Sequence, residues 1–406
     1  MSLSRILCHV SGTFIVTAAA FVVHVCIPRF TPGLLKTLCP TLLWGFTCVC
    51  TRSAFGKGLT VVLFIHVVVA VLLLLGIGTS NRVVNRVMLL PVVVSVLAAL
   101  YDNRLPKLSI DRAVGVTLIY LWSAFSALVL LAVFPASILG GGRDQQREHE
   151  ERFSNFVNAA TEYKMERFSV SSRGGVTLDV VVFLQNNATD RWIAYFGGNA
   201  ETLESSSEEL VPAVDLVRAN WIFHNPRGVG RSNGYVCWTN DLVDDAEAVV
   251  MEAMRRYALR PEKLLLWGHS IGGGVAALLA HRRPEKAFPI LLDRTFSRLS
   301  DAAIPFSPFR PVGTKRMIWG TVGDMEVVES LRVLSSNMLI VYHRKDEIIR
   351  YNISSIARPE EFAKTGLNES VLLELRSTYV ASPHSTPLHY FPEAELIHQR
   401  INALYA

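Results

Sequence analysis

The chain has 406 residues, of which half are apolar and only 18% are charged, and its formal net charge is +5. This composition is more apolar than that of an ordinary soluble protein, and the length leaves room for a domain of about 250 residues beside a second region. The basic excess lies in residues 1–142, which carry ten Lys or Arg residues but only two acids, Asp102 and Asp111. Because these cations flank apolar segments, they indicate a membrane lipid bilayer as a partner and argue against nucleic acid.

Three charge-free windows of the N-terminal region are long enough to cross a bilayer, since about 20 apolar residues span its hydrocarbon core. They are Ile6–Ile27, Gly58–Ser80 and Ala113–Leu139, and the shorter windows Thr37–Thr51 and Met88–Tyr101 are borderline. A cleaved signal peptide is the alternative for the first window, but its length favours an anchor. We therefore predict an all-α transmembrane region over residues 1–142 and a multi-pass integral membrane protein. The nearly equal charges of alternate loops leave its orientation open.

A charged run follows the last window. Gly140, Gly141 and Gly142 end that window, and residues 143–162 are predicted to be a charged juxtamembrane linker or a solvated helix. Among the six cysteines, only Cys237 lies beyond the apolar region, so no disulfide framework supports the C-terminal half.

Beyond Tyr163 the sequence alternates between short strand-like runs and helical ones. The predicted strands are Met165–Ser171, Val176–Phe183, Arg191–Phe196, Ala219–His224, Lys263–Trp267, Phe288–Leu292, Asn337–Tyr342 and Val371–Leu375. Helical apolar spacing covers Trp238–Leu259, Ile271–Arg282 and the end of the chain from Pro392. The first two strands form a hairpin, and the alternation after them predicts βαβ units. We expect an α/β sandwich with a mostly parallel eight-stranded sheet over residues 163–406, with ligands at the carboxyl ends of the strands.

The strongest chemical signal is Gly268-His269-Ser270-Ile271-Gly272, which matches the G-x-S-x-G nucleophile elbow. The pentapeptide alone is a weak signal, and a glycine-rich turn between a strand and a helix is the alternative. Its context strengthens it, because it follows the predicted strand Lys263–Trp267 and opens the helix Ile271–Arg282. Ser270 is therefore the predicted nucleophile.

A serine hydrolase also needs an acid and a histidine, in the chain order Ser, Asp or Glu, His. Asp346 follows the strand Asn337–Tyr342 and is the predicted acid, with a solvated loop acid as the alternative. Two histidines follow the last strand, His384 and His389. We prefer His384, which comes soon after that strand, and keep His389 as the alternative. The histidine would remove the Ser270 proton, and Asp346 would fix its tautomer and stabilise the imidazolium.

An oxyanion hole must complete such a site, because the tetrahedral charge needs preorganised N–H donors. One donor is predicted to be the backbone N–H of Ile271. The second is expected from the glycine-rich loop after Arg191–Phe196, in which Gly198 permits close approach and Asn199 supplies an N–H. A helix N-cap at Asn199 is compatible with that role.

Arg227 and Arg231 lie in another glycine-rich turn, where a structural role is favoured over substrate binding.

Residues 163–406 resemble the α/β-hydrolase superfamily, and most closely its membrane-tethered, serine-aminopeptidase-like serine hydrolases. Stretches that match in order are Gly197–Ala200, Asn225–Ser232, the elbow and the loop of Asp346, and Asp293–Ser297 is similar as well. Two positions depart from the pattern: Gly197 replaces a histidine before the oxyanion glycine, and Pro383 replaces a glycine before His384. The resemblance implies hydrolysis of an ester, thioester or amide, without a metal or organic cofactor.

Residues 295–336, between the sixth and seventh strands, leave room for a modest helical cap, with Met317–Trp319 as a possible apolar lip. A short cap beside a bilayer favours an acyl or lipid-like substrate. The competing hypothesis is a non-catalytic membrane scaffold that has kept the hydrolase fold. A channel or transporter is disfavoured, because the predicted spans contain no acidic residue.

Overall fold

The computed structural model describes residues 129, 133–134, 143–199, 201–211, 217–234, 236–307, 309–334, 337–377 and 380–405. The predicted membrane windows lie outside the described residues, except for Val129, Val133 and Phe134 in the third of them. Within the described ranges no helix is both long enough and apolar enough to cross a membrane. Residues 133–137 and 143–406 form one compact unit, which contains the central sheet and the predicted site.

An eight-stranded sheet forms the centre of this unit. Its strands are β1 (Tyr163–Ser172), β2 (Val176–Gln185), β3 (Trp192–Phe196), β4 (Asn220–Asn225), β5 (Leu264–His269), β6 (Ile290–Asp293), β7 (Met338–His343) and β8 (Leu372–Leu375). Their order across the sheet is β1-β2-β4-β3-β5-β6-β7-β8. Only β2 runs against its neighbours, and the pairs from β4 to β8 are parallel. The predicted mostly parallel α/β sheet is confirmed, with strand ends displaced by a residue or two.

Helices cover the sheet and connect its parallel strands. They are α1 (Arg143–Ala159), α2 (Leu203–Leu210), α3 (Thr239–Tyr257), α4 (Ile271–Arg282), α5 (Leu299–Ala303), α6 (Pro311–Thr321), α7 (Val327–Leu331), α8 (Pro359–Thr365) and α9 (Ala394–Leu404). Every residue of β5 is buried, as expected for a central parallel strand with helices on both faces. The C-terminal helix is predicted two residues early, because Pro392 precedes its first turn without belonging to it.

The register of the parallel strands brings the predicted site segments together. Phe196, the last residue of β3, lies opposite Gly268 of β5, and His269 lies opposite Asp293 of β6. The loop after β3 therefore begins beside the elbow. The carboxyl ends of neighbouring parallel strands meet at one edge, which is where ligands of open α/β sheets bind.

The charged helix α1 packs onto this sheet instead of standing free as a linker. Phe153 is buried, and the rings of Phe153 and Phe156 lie 6.4 and 5.8 Å from the ring of Phe183 in β2. Phe153, Phe156 and Val157 follow helical i, i+3, i+4 spacing, so they form an apolar stripe within the charged run. The abundance of charges around this stripe concealed it in the sequence.

The connection from β6 to β7 forms the small cap that the sequence predicts. Helix α6 buries Thr314, Ile318 and Thr321, whereas Trp319 is 70% exposed. Met317–Trp319 is therefore not one continuous apolar lip, because successive residues of an α-helix point about 100° apart.

Candidate active site

The backbone of the elbow has the strained geometry that its sequence predicts. Ser270 has φ 53° and ψ −118°, an unusual conformation for a residue other than glycine. Its N–H donates to the main-chain oxygen of Asp293 at 2.9 Å, and its carbonyl accepts from the Thr295 hydroxyl at 2.6 Å. These contacts fix the backbone of the turn.

Two glycines of the elbow are required by close backbone contacts. A Cβ atom at Gly268 would lie 2.2 Å from the carbonyl oxygen of Gly272. A Cβ atom at Gly272 would lie 1.9 Å from the carbonyl oxygen of Phe196, the last residue of β3. The absence of a side chain at Gly272 lets the start of α4 approach the end of β3, and its absence at Gly268 lets β5 turn sharply into α4.

The structure brings Ser270, His384 and Asp346 into one hydrogen-bonded chain. The Ser270 hydroxyl lies 2.9 Å from Nε2 of His384, and Nδ1 of His384 lies 2.9 Å from Oδ2 of Asp346. The other carboxylate oxygen of Asp346 accepts from the N–H groups of Ile348 and Ile349 at 2.9 and 2.7 Å. As whole residues, Ser270, His384 and Asp346 are only 7%, 6% and 5% exposed. With Nδ1 donating to the carboxylate, Nε2 is left free to accept the serine proton.

His389, the alternative histidine, lies elsewhere. Its ring contacts that of Tyr390 at 4.1 Å between centroids. It lines a separate cavity of about 20 Å³ together with Trp221, Trp267 and residues of α9. His384 is thus the histidine that reaches Ser270, although Pro383 precedes it where the resemblance leads one to expect glycine.

The side chains of Arg294 and Glu347 hold the loop that carries His384 through its backbone. Arg294 donates to the carbonyl oxygens of Pro383 and Thr386, and its guanidinium pairs with Asp293 at 2.6 Å. Glu347 accepts from the backbone N–H of His384 at 3.2 Å.

His269, the residue before the nucleophile, contacts the same loop. Its Nδ1 lies 2.7 Å from the Glu201 carboxylate, and its Nε2 lies 2.9 Å from the backbone oxygen of His384. Both partners are acceptors, so both ring nitrogens must carry a proton and the imidazole is cationic. Its ring centroid is 5.1 Å from that of His384. A buried cation therefore lies directly beside the predicted general base.

The pKa values of this pair agree with the geometry. Burial disfavours charge on both groups, but their attraction and hydrogen bond lower the pKa of Glu201 to about 2 and raise the pKa of His269. The Glu201 carboxylate also accepts from the hydroxyls of Tyr195 and Ser206, each at 3.1 Å. Sequence analysis missed Glu201, although its place just after the predicted oxyanion loop was a usable signal.

The predicted oxyanion residues Gly198, Asn199 and Ile271 line one cavity of about 70 Å³ beside the elbow. Ile271 is the first residue of α4, so its N–H has no acceptor within the helix and points out of the helix end. The rest of the wall is mainly apolar and includes Phe134, Phe196, Val229, Val236, Leu242 and Val275.

The cavity wall also includes His224 and Phe134. His224 stays uncharged near neutral pH, because burial lowers its pKa to about 4. Phe134, predicted near the end of the third membrane window, is 4% exposed and belongs to the same compact unit as the sheet.

The two arginines of the glycine-rich turn serve the structure. Arg227 is buried and donates to Asp245 at 2.6 Å, and Arg231 pairs with Glu150 of α1 at 2.7 Å. Neither side chain is directed to the cavity wall. Among the described residues, no group of three His, Cys, Asp or Glu side chains is arranged to hold a metal ion.

Comparison with known proteins agrees with this architecture. The family model described as serine aminopeptidase, S33, matches residues 197–309, which run from the predicted oxyanion loop through the elbow into the cap. The chain therefore has an α/β-hydrolase fold, and its residues 197–309 are similar to this family of hydrolases. Asp346 and His384, the predicted acid and base, lie beyond the matched residues, and their assignment rests on the hydrogen bonds that join them to Ser270.

Similar proteins come from distant organisms. The α/β-hydrolase domain-containing protein WAV2 of Arabidopsis thaliana is 27% identical over 117 residues, which are 29% of this chain and 38% of that protein. Protein bem46 of Schizosaccharomyces pombe is 24% identical over 250 residues, 60% of this chain and 78% of that protein. The esterase Pf2001 of Pyrococcus furiosus has 14% identity and a TM-score of 0.47, over 61% of this chain and 94% of that one.

Proposed function

We propose that the protein is a membrane-anchored serine hydrolase that cleaves an ester, thioester or amide through an acyl-enzyme on Ser270. The observation that carries the proposal is the buried chain from the Ser270 hydroxyl through His384 to Asp346, with both hydrogen bonds at 2.9 Å. Serine needs an adjacent base to become a nucleophile, and the base needs a third group to orient it. The site supplies both.

In the proposed reaction, the Ser270 oxygen attacks the substrate carbonyl carbon while its proton passes to Nε2 of His384. The negative charge that develops on the carbonyl oxygen is stabilised by the N–H groups of Ile271 and of the Gly198–Asn199 loop. Collapse of the intermediate breaks the bond to the leaving group, which takes the proton from His384. A water molecule then attacks the acyl-enzyme in the same way, and the acid product leaves with Ser270 restored. Asp346 stays ionised and stabilises the imidazolium.

The cavity favours an acyl or lipid-like substrate. Its wall is mainly apolar, and His224 adds no charge near neutral pH. This cavity, of about 70 Å³, lies beside the elbow and is the proposed site of the acyl group.

Anchoring to the membrane rests on the sequence. The predicted windows of residues 1–142 are long and free of charge, and residues 143–406 follow them directly. A lipid-like acyl substrate and the bilayer are accordingly the proposed partners, and an integral membrane location is part of the proposal.

The test is labelling of the full-length protein with a fluorophosphonate probe, which reacts with activated serines. Wild type should be labelled, and Ser270→Ala should abolish labelling. Ser354→Ala is the matched control, because Ser354 is fully buried and its hydroxyl makes only a 3.5 Å contact. Equal labelling of Ser270→Ala and wild type would disprove the nucleophile. Labelling in intact and in permeabilised membranes reports the side on which the site lies.

The same assay distinguishes the two histidines. His384→Ala should slow labelling at least about a hundredfold, the usual contribution of a general base. His389→Ala should leave the labelling rate unchanged, because His389 lies in the other cavity. The reverse pattern would disprove the role given to His384.

A further inference from the structure

The cap exposes several large apolar side chains in one short segment. Phe306 and Trp319 are 61% and 70% exposed, and Phe309 and Val312 are also exposed. We call residues Ile304–Thr321 the cap face. Single exposed apolar residues are normal on a protein surface, but a local concentration of them marks an interaction site.

The outward side of helix α6 carries both apolar and basic side chains. Val312, Arg316 and Trp319 are spaced i, i+4, i+7, so they share one side of α6, opposite the buried Thr314 and Ile318. Phe309 adjoins the start of this helix, since a Cβ atom at Gly313 would lie 3.3 Å from the Cβ atom of Phe309. The outward side thus combines aromatic rings with positive charge.

Charge on this segment is of one sign. Residues 302–323 contain Arg310, Lys315 and Arg316 but no acidic residue. Lys315 is paired with the buried Asp301 at 2.6 Å, whereas Arg310 and Arg316 make no ion pair within the described part of the chain. These two cations accompany the exposed rings.

We propose that the cap face docks on the surface of an anionic phospholipid bilayer. Trp and Phe side chains favour the interface between headgroups and acyl chains, and basic side chains close to a membrane surface are attracted to anionic headgroups. A second copy of the same face is a poorer partner, because a symmetric contact would bring like charges together.

The cap and Ser270 are connected to the same edge of the sheet. The cap leaves the sheet at the carboxyl end of β6, the same edge that carries Ser270 at the end of β5. Docking the cap face would therefore hold the active-site edge close to the lipid. The inference depends on the proposed membrane location, but not on the role of Ser270.

The experiment uses the full-length protein reconstituted into phosphatidylcholine vesicles, with or without one fifth phosphatidylserine, in which part of the phosphatidylcholine carries brominated acyl chains. Bromine quenches tryptophan fluorescence only at short range. The quenching lost in Trp319→Phe measures the contribution of Trp319 alone. We expect this contribution in vesicles that contain phosphatidylserine, and a clearly weaker one without it.

Reversal of the cap charges provides the variant. The double variant Arg310→Glu, Arg316→Glu should lower the Trp319 quenching to the level seen without phosphatidylserine, since each basic residue strengthens binding to an anionic surface about fivefold. The matched control is Arg255→Glu, Arg260→Glu, which reverses two exposed arginines of other segments and should change nothing.

Three outcomes overturn the docking surface. In the first, brominated lipid does not quench Trp319. In the second, the quenching of Trp319 is the same with and without phosphatidylserine and is unchanged by reversal of the cap charges. In the third, Trp319 is shielded from aqueous acrylamide but is not quenched by lipid, which indicates that a protein covers it. Flotation of each variant with the vesicles reports the anchor separately, and fluorophosphonate labelling reports the fold and the site. Loss of quenching with both of these intact refutes the docking surface alone, whereas loss of flotation in wild type refutes the anchor.

Discussion

Nε2 of His269 donates a hydrogen bond to the backbone oxygen of His384 across 2.9 Å. The residue before the nucleophile therefore holds the backbone of the residue that activates it. On its other side His269 is bonded to Glu201 at 2.7 Å, so the contact continues from the loop after β3 to the loop after β8. A shift of this imidazole would change the distance between the His384 ring and Ser270, which makes His269 a positioning residue.

We expect His269→Gln to lower kcat about tenfold and to leave KM nearly unchanged. The lost hydrogen bond involves a charged group and contributes more than about 1.4 kcal/mol, which corresponds to a factor of ten in rate. The assay is steady-state hydrolysis of a short-chain ester by the full-length protein. His281→Gln is the control, since His281 is an exposed histidine near the end of helix α4. A purely structural role would lower the amount of folded enzyme and leave the kcat of the folded fraction unchanged.

The His269–Glu201 pair should give the protein a defined pH range of added stability. The pKa of Glu201 is lowered from 4.5 to about 2, so its contribution is present above pH 4.5 and is lost as pH falls toward 2. The pKa of His269 is raised from 6.5, so its contribution is present below pH 6.5 and is lost as pH rises through the raised value. The difference in Tm between wild type and Glu201→Gln should be largest between pH 4.5 and 6.5. A difference that does not vary with pH would contradict the charged pair.

Arg294→Lys should destabilise the domain and slow the reaction. The planar guanidinium of Arg294 binds both oxygens of Asp293 and two carbonyls of the His384 loop, which a lysine ammonium cannot do at once. We expect the free energy of unfolding to fall by about 2 kcal/mol, because buried hydrogen-bonding groups are left unsatisfied. Denaturant unfolding of the detergent-solubilised protein measures the loss. Arg255→Lys, at an exposed ion pair, should have no effect.

Phe134→Ala should shift the preference of the enzyme toward longer acyl chains. Phe134 lines the apolar cavity beside the predicted oxyanion loop, and its ring occupies space that a longer chain needs. The measurement is kcat/KM for a series of p-nitrophenyl esters of increasing chain length. Phe306→Ala is the control, because Phe306 is exposed on the cap and does not line the cavity. An equal change for every chain length would contradict a role of Phe134 in acyl selection.

Local sequence patterns predicted most of the fold. Continuous apolar runs such as Leu264–Trp267 can be buried only inside a sheet covered on both faces, and their alternation with helical segments predicted the parallel order. The elbow was also predictable from local sequence, because its two glycines and its serine lie within five consecutive residues. The packing of helix α1 on the sheet was harder to predict, since the apolar stripe through Phe153 contains few residues among many charged ones.

The sequence by itself predicted Ser270 as the nucleophile, because the glycines that allow its strained turn are its own neighbours in the chain. The sequence also indicated Asp346 as the acid, but it did not distinguish His384 from His389 as the base. Only the tertiary structure decided for His384, since that choice depends on contacts between residues far apart in sequence, such as Arg294 with the loop of Pro383. The positive charge of His269 also depends on contacts between residues far apart in sequence. An imidazole takes its charge from what surrounds it, and Glu201 reaches it from 68 residues away.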